Sequence, residues 1–307
     1  MTAKAWAVGR SVVAQYPSYL ELCKPKVVQL LVFTALVGMF LASPGLVPWS
    51  ALIFGNLGIA LAAASAAAIN HLVDQRVDAI MGRTASRPLP SGELDPVQSL
   101  IFALVLGAAG LSMLWFLVNP LTAALTFISL MGYAVIYTWF LKRATPQNIV
   151  IGGAAGAAPP ILGWTAVTGT VEPGALMLFL IIFLWTPPHF WALALHRRDE
   201  YAKAALPMLP VTHGVAFTKL QILLYTILLG LATLLPVWGG VAGWVYLAGI
   251  LPLNGLFLYH VIRLYRGEDP RQPIRTFVVS IRYMMALFAL LLLDHYIPLN
   301  GPFSGIV

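Results

Sequence analysis

Every lysine and arginine in this chain falls into alternate joints between apolar stretches. Nine such stretches can be counted, at about 27–42, 46–69, 97–117, 121–141, 147–168, 173–195, 218–237, 241–260 and 277–297. Most approach the roughly 20 apolar residues that a helix needs to cross a bilayer. Lys4, Arg10, Lys24 and Lys26 precede the first stretch, and Arg76, Arg83 and Arg87 follow the second. Lys142 and Arg143 follow the fourth. Arg197, Arg198, Lys203 and Lys219 lie from the end of the sixth to the start of the seventh, and Arg263, Arg266, Arg271, Arg275 and Arg282 from the end of the eighth to the start of the ninth. The intervening joints, at Ser43–Pro44–Gly45, Asn119–Pro120, Gly169–Glu172 and Gly239–Gly240, carry none. Basic residues are retained on the cytoplasmic side, so this pattern puts the N-terminus inside and the C-terminus outside. Adding or removing a span would scatter basic loops over both faces.

Composition agrees. Hydrophobic residues make up 60% of the chain and charged residues only 9%, against about 25% charged in a soluble domain. The net charge of +7 is accounted for by topology, and no nucleic-acid partner is expected. A single cysteine, Cys23, excludes an internal disulfide framework. The expected architecture is an all-α integral membrane protein of nine transmembrane helices. Residues 1–26 form a cytoplasmic segment read as an interfacial helix, with no cleaved signal peptide. Residues 27–297 form one membrane domain, and 298–307 an external tail. In the fifth stretch, Gly152, Gly153, Gly156 and Gly163 suggest a close-packing face. The run Ala157–Ala158–Pro159–Pro160 should bend that helix.

Two polar constellations interrupt the apolar pattern. In the first, Asn70, Asp74 and Asp78 are spaced i, i+4, i+8 at the end of the second stretch. At about 100° per residue they drift by only about 80°, so they line one helical face. Carboxylates and an amide oxygen on one face suit Mg²⁺, which typically bridges one or two carboxylates to phosphate oxygens. Arg83 and Arg87 follow closely, and guanidinium groups make bidentate contacts with phosphate. The plainer alternative is a charged helix end with Asp74–Arg76 and Asp78–Arg83 as solvated pairs.

In the second constellation, Trp185, His189, His196, Asp199 and Lys203 recur at helical steps after the sixth stretch. They share one face if the helix continues through the loop. Pro187 and Pro188 should kink the helix just before His189. Asp199 is a candidate for a second Mg²⁺ and Lys203 for phosphate. His189 lies within the apolar segment, where its Nε2 is a candidate haem-iron ligand, with His196 as the second choice. The alternatives are a hydrogen-bonded membrane histidine and a surface charge cluster.

The run Asn70-x-x-x-Asp74-x-x-x-Asp78, followed by Met81-x-Arg83–Thr84-x-x-Arg87–Pro88–Leu89, resembles the first signature of the UbiA-type intramembrane prenyltransferases. Further stretches resemble the haem-farnesylating branch of that family. They are Lys24–Pro25–Lys26–Val27–Val28, the segment from Leu141 to Gly153, Trp185–Thr186–Pro187–Pro188–His189–Phe190–Trp191–Ala192–Leu193, and Pro207–Met208–Leu209–Pro210. The resemblance covers roughly residues 20–295. It implies a nine-helix bundle in the bacterial inner membrane, Mg²⁺ as cofactor, and farnesyl diphosphate and haem b as substrates. The product would be haem O, and the partners membrane lipid and the downstream haem-modifying or oxidase-assembly machinery. Lys24, Lys26, Lys142, Arg143 and Lys203 join Arg83 and Arg87 as candidate diphosphate contacts, although each also serves as a topology determinant. One departure is that the family's second motif has two acids four residues apart, whereas Lys203 follows Asp199 here. A prenyltransferase with a quinone-precursor acceptor would share the first motif without needing His189. A secondary transporter would use Asp74, Asp78 and His189 as an ion path. The chain shows no convincing internal repeat of the transporter kind, and its charges sit at helix ends rather than mid-membrane.

Overall fold

The structure is a computed structural model that describes residues 12–82, 84–267 and 269–297. Arg83, residues 1–11 of the N-terminal segment and the tail 298–307 lie outside the described residues. The described chain is helical, in the order α1 (Val12–Leu22), α2 (Pro25–Leu41), α3 (Ser50–Asp78), α4 (Pro96–Leu117), α5 (Pro120–Ala144), α6 (Asn148–Thr168), α7 (Pro173–His196), α8 (Arg198–Lys203), α9 (Leu209–Thr212), α10 (Gly214–Trp238), α11 (Trp244–Arg266) and α12 (Gln272–Tyr296). Eight of these, α3–α7 and α10–α12, are long and apolar enough to cross a membrane. The described residues hold up to nine such spans when Gln15–Leu22 and α2, which are bent by 48° from each other, are counted as one. This is a multi-pass membrane protein.

Helix starts follow local chemistry. Proline occupies the first turn of α2, α4, α5 and α7, where its missing N–H costs nothing. The Asp95 carboxylate accepts from the N–H groups of Val97 and Gln98, and Asn119 accepts from that of Thr122, capping α4 and α5. Two irregularities bear on function. The alanine-rich α-helix Asn56–Asp78 consists of strong helix formers and continues beyond the apolar run, so Asn70, Asp74 and Asp78 are all helical. In α5, residues Gly132–Leu141 are π-helical. Such widened turns re-phase everything that follows them, here Lys142.

At the centre, α7 packs against α6, α10 and α12, while α3 packs against α4, α2 and α5. α2 and α6 meet backbone to backbone. A Cβ on Gly38 would collide with the Pro160 carbonyl, and one on Gly163 with the Ala35 carbonyl. The glycines of α6 therefore do not form the single packing face expected for them. Gly152 fits against Tyr137 and Gly153 against Thr186, while Gly156 faces open space. At the run where a bend was expected, α6 consists of two α-helical halves, Asn148–Ala157 and Pro159–Thr168, which meet at Ala158.

The expectation that one helix continues through the second constellation is corrected. α7 runs unbroken through Pro187 and Pro188 but stops at His196. Arg197, at φ −112° and ψ 25°, separates it from the short α8. His189 and Asp199 are therefore not on one continuous helical face.

Candidate active site

The first constellation is a buried cluster of paired charges where α3, α5 and the start of α2 converge. Asp74 and Asp78 are 2% and 5% exposed. Lys142, delivered by the π-helical segment of α5, places Nζ 2.5 Å from Asp74 Oδ2. Arg87 places a guanidinium nitrogen 2.6 Å from Asp78 Oδ2. Lys24 Nζ donates to Asn70 Oδ1 at 2.5 Å, and the Asn70 amide donates to Asp74 Oδ2 at 3.0 Å and to Thr138 at 3.3 Å. In place of a solvated Asp74–Arg76 pair, Asp74 holds Lys142 from 68 residues away, and Asp78 holds Arg87 from nine residues away.

Local folding explains how these cations arrive. Pro25 disfavours right-handed helix in the residue before it, and Lys24 adopts a left-handed conformation, φ 48° and ψ 61°. That conformation is uncommon for a residue with a Cβ, and it occurs where the side chain reaches the cluster. Burial, followed by repulsion from Arg87 and Lys142, brings the Lys24 ammonium down to about 7, against the opposing pull of Asp74 and Asp78. The loop after α3 folds back over the helix end. Thr84 donates to the Asp78 carbonyl and Gln75 to the Leu89 carbonyl. Leu89 is anchored in an apolar cluster with Leu22, Ala68, Leu94 and Ala103, and this fixes Arg87 over Asp78.

The donor set fits Mg²⁺. Asp74 Oδ1 is buried without a hydrogen-bond partner, and Asp78 lies about one turn further along the same face. Among the described residues, no three His, Cys, Asp or Glu side chains converge as a ready-made cage. That agrees with an ion held by one or two carboxylates that completes its shell with water and phosphate.

The other predicted residues lie apart from this cluster. Lys26 is exposed, and Arg143, also exposed, donates to the Val73 carbonyl. His196 and Asp199 are both exposed. A cleft of about 520 Å³ lies between the 80–82 turn and α8, and it is lined by Ile80, Met81, Gly82, Arg197, Glu200 and Lys203. The acid facing the first loop is therefore Glu200 rather than Asp199. Glu200 Oε1 accepts from Arg197 at 2.8 Å, while Oε2 is buried and unpartnered. Sequence reasoning also passed over His71, which is 2% exposed with both ring nitrogens unpartnered. Its signal was available, since His71, Asp74 and Asp78 are spaced i, i+3, i+7 and fall within about 60° on α3.

His189 occupies a separate aromatic box between α7 and α12. Trp185 stacks on the ring at 4.2 Å, Phe277 at 4.5 Å, and Phe190 meets its edge at 4.9 Å between centroids. Nδ1 lies 2.7 Å from Ser280 Oγ.

Buried carboxylates paired with cations, at one end of a membrane helix bundle, are the parts of an intramembrane site for a phosphorylated lipid. The chain belongs to the UbiA prenyltransferase family, whose profile matches residues 31–291. Among its relatives, the protoheme IX farnesyltransferase of Alkalilimnicola ehrlichii is 63% identical over 280 residues, covering 91% of this chain and 93% of that protein. The protein of the same name from Hahella chejuensis is 60% identical over 287 residues, covering 94% and 96%. Solved structures share the fold at much lower identity. A digeranylgeranylglyceryl phosphate synthase aligns with TM-score 0.78 and 19% identity over 92% of this chain and 98% of that one. A UbiA homologue from Archaeoglobus fulgidus, bound to GPP and Mg²⁺, aligns with TM-score 0.65 and 16% identity over 89% and 99%.

Proposed function

We propose that this chain transfers the farnesyl group of farnesyl diphosphate to a vinyl group of haem b, giving haem O and diphosphate. The observation that carries this reading is the buried cluster of Asp74, Asp78, Lys142, Arg87 and Lys24. The names of relatives about 60% identical over nearly the whole chain support the choice of substrates. Asp74 and Asp78 would hold Mg²⁺, with Asn70 beside them. When bound, that ion would neutralise the departing diphosphate as a Lewis acid.

The chain's own residues would do the rest. Lys142, Arg87 and Lys24 would turn to the diphosphate oxygens and stabilise the charge that develops as the C1–O bond breaks. The apolar bundle would shield the cation-like farnesyl C1 from premature capture by water. A vinyl carbon of haem would then bond to C1. Water would add to the resulting cation beside the porphyrin and lose a proton, leaving a hydroxyethylfarnesyl side chain. Glu200 would supply the second acid near the leaving group, with Lys203 at the same cleft. His189 would hold the haem iron and so orient the vinyl group, while the haem propionates face basic residues such as Lys26 and Arg143.

We further infer that the loops after α3 and α7 are cytoplasmic, with α1 on the inner surface and the C-terminus outside. The membrane is the bacterial inner membrane, from which product would pass to haem-modifying or oxidase-assembly proteins. The test is diphosphate release from farnesyl diphosphate by purified protein, with haem b against 4-hydroxybenzoate as acceptor. The reading requires turnover with haem b alone, loss of turnover on Mg²⁺ chelation, and loss in Asp74→Ala and Asp78→Ala variants that still fold. Turnover with 4-hydroxybenzoate alone would redirect it to quinone-precursor chemistry.

A further inference from the structure

We propose that Ser280 selects the imidazole tautomer of His189, leaving Nε2 as the free lone pair presented to the haem iron. The proposal rests on the reading of His189 as the axial ligand, and it makes Ser280 a positioning residue for the farnesyl acceptor.

Counting the hydrogens on the two groups fixes the tautomer. A serine hydroxyl has a single hydrogen to donate. Ser280 Oγ lies 2.7 Å from the Phe277 carbonyl oxygen and 2.7 Å from His189 Nδ1. A carbonyl can only accept, so the hydroxyl hydrogen goes to Phe277. Toward His189 the hydroxyl can then only accept, and Nδ1 must carry the ring proton. The reverse assignment would press two lone pairs together at 2.7 Å. Among the described residues, the ring's aromatic and hydrogen-bonding partners are Trp185, Phe190, Phe277 and Ser280. None of them is anionic, so nothing there supports an imidazolium within the bilayer. The ring is thus neutral, with its hydrogen on Nδ1 and a lone pair on Nε2, which makes no hydrogen bond within the described protein.

The ring cannot readily turn to exchange these roles. Trp185 and Phe277 cover its two faces, tilted by 19° and 25° from its plane. Trp185 is itself tied to the same residue, because its indole N–H donates to the Ser280 carbonyl at 2.9 Å. Ser280 is fully buried on α12 and so joins both α7 side chains to one point of the neighbouring helix. Partners that fix the tautomer and orientation of a ligating histidine typically affect metal affinity about 10–100-fold.

The test uses the full chain in detergent, with ferric protoporphyrin IX as probe, and compares wild type with Ser280→Ala, Ser280→Thr and His189→Ala. Nitrogen-15 NMR of histidine-labelled protein reads the tautomer directly. We expect Nδ1–H in the wild type and in Ser280→Thr, and a shift toward Nε2–H in Ser280→Ala. Haem affinity should fall about tenfold in Ser280→Ala and recover in Ser280→Thr, with farnesyl diphosphate binding unchanged as the control for folding. Nε2–H in the wild type overturns the proposal. Unchanged haem affinity in Ser280→Ala, where His189→Ala loses the Soret signature, overturns it while leaving His189 as ligand. An unaltered haem spectrum in His189→Ala overturns the ligand assignment and the role of Ser280 together.

Discussion

Lys142 is the cation whose removal tests the site most directly. Its ammonium lies 2.5 Å from Asp74 Oδ2, with side-chain exposures of 16% and 2%. Lys142→Met keeps the aliphatic stem, which packs independently of the charge, and strips Asp74 of its counter-ion. Removing one partner of a buried pair costs about 3–5 kcal/mol, chiefly through the uncompensated charge that remains. Asn70 still donates to the same oxygen at 3.0 Å, so we place the loss near the lower end, at about 3 kcal/mol. Asp74→Asn in the same chain removes that stranded charge, and the double variant should regain at least about 2 kcal/mol of it. Unfolding in mixed micelles, followed by tryptophan fluorescence, measures all four corners of the cycle. A coupling below about 0.5 kcal/mol, the usual scatter for independent sites, would refute the pairing. It would also remove the argument that α5 delivers Lys142 to the cluster.

Two further outcomes test the assignment of the loops. Glu200→Gln should lower turnover with farnesyl diphosphate about 10–100-fold, whereas Asp199→Asn should change it little. The opposite ranking in steady-state kinetics would return the second acid to Asp199. Accessibility tags in the 79–95 and 204–208 segments should report from the cytoplasm and a C-terminal tag from the outside. Either loop found on the outer face would remove the proposed site from its substrate pool.

What the sequence made legible follows from the physics of each feature. The spans were readable because the bilayer imposes one length on every crossing helix, and the alternating joints carry the basic residues. Asp74 and Asp78 were readable because the alanine-rich helix holds its period to Asp78. The placement of Asp199 was not, because it assumed a helical period that ends at Arg197, and Glu200 is the acid that lines the cleft. The partners of the acids lie 68 residues away for Asp74 and 9 for Asp78. The first pairing depends on a π-helical stretch of α5 that no hydrophobic pattern announces. The Ser280–His189 contact spans 91 residues, and a lone serine in an apolar helix gives no sign of it.

The charge pairs of the cluster also bear on the order in which ligands arrive. Asp74 Oδ2 and Asp78 Oδ2 already hold Lys142 and Arg87, so a divalent ion that enters at the unpartnered Asp74 Oδ1 brings its charge up against both cations. A diphosphate taking those cations must in turn strand both carboxylates. Either ligand alone exchanges a balanced buried cluster for an unbalanced one, whereas both together simply swap partners. If the cluster holds both ligands as proposed, metal and diphosphate bind cooperatively, and linkage requires each to raise the affinity of the other by the same factor. Titration calorimetry with Mg²⁺ alone should therefore record weak binding that becomes tight once diphosphate is present. On the proposed reading, such a site would keep no resident ion between turnovers, and the metal would come and go with the phosphate.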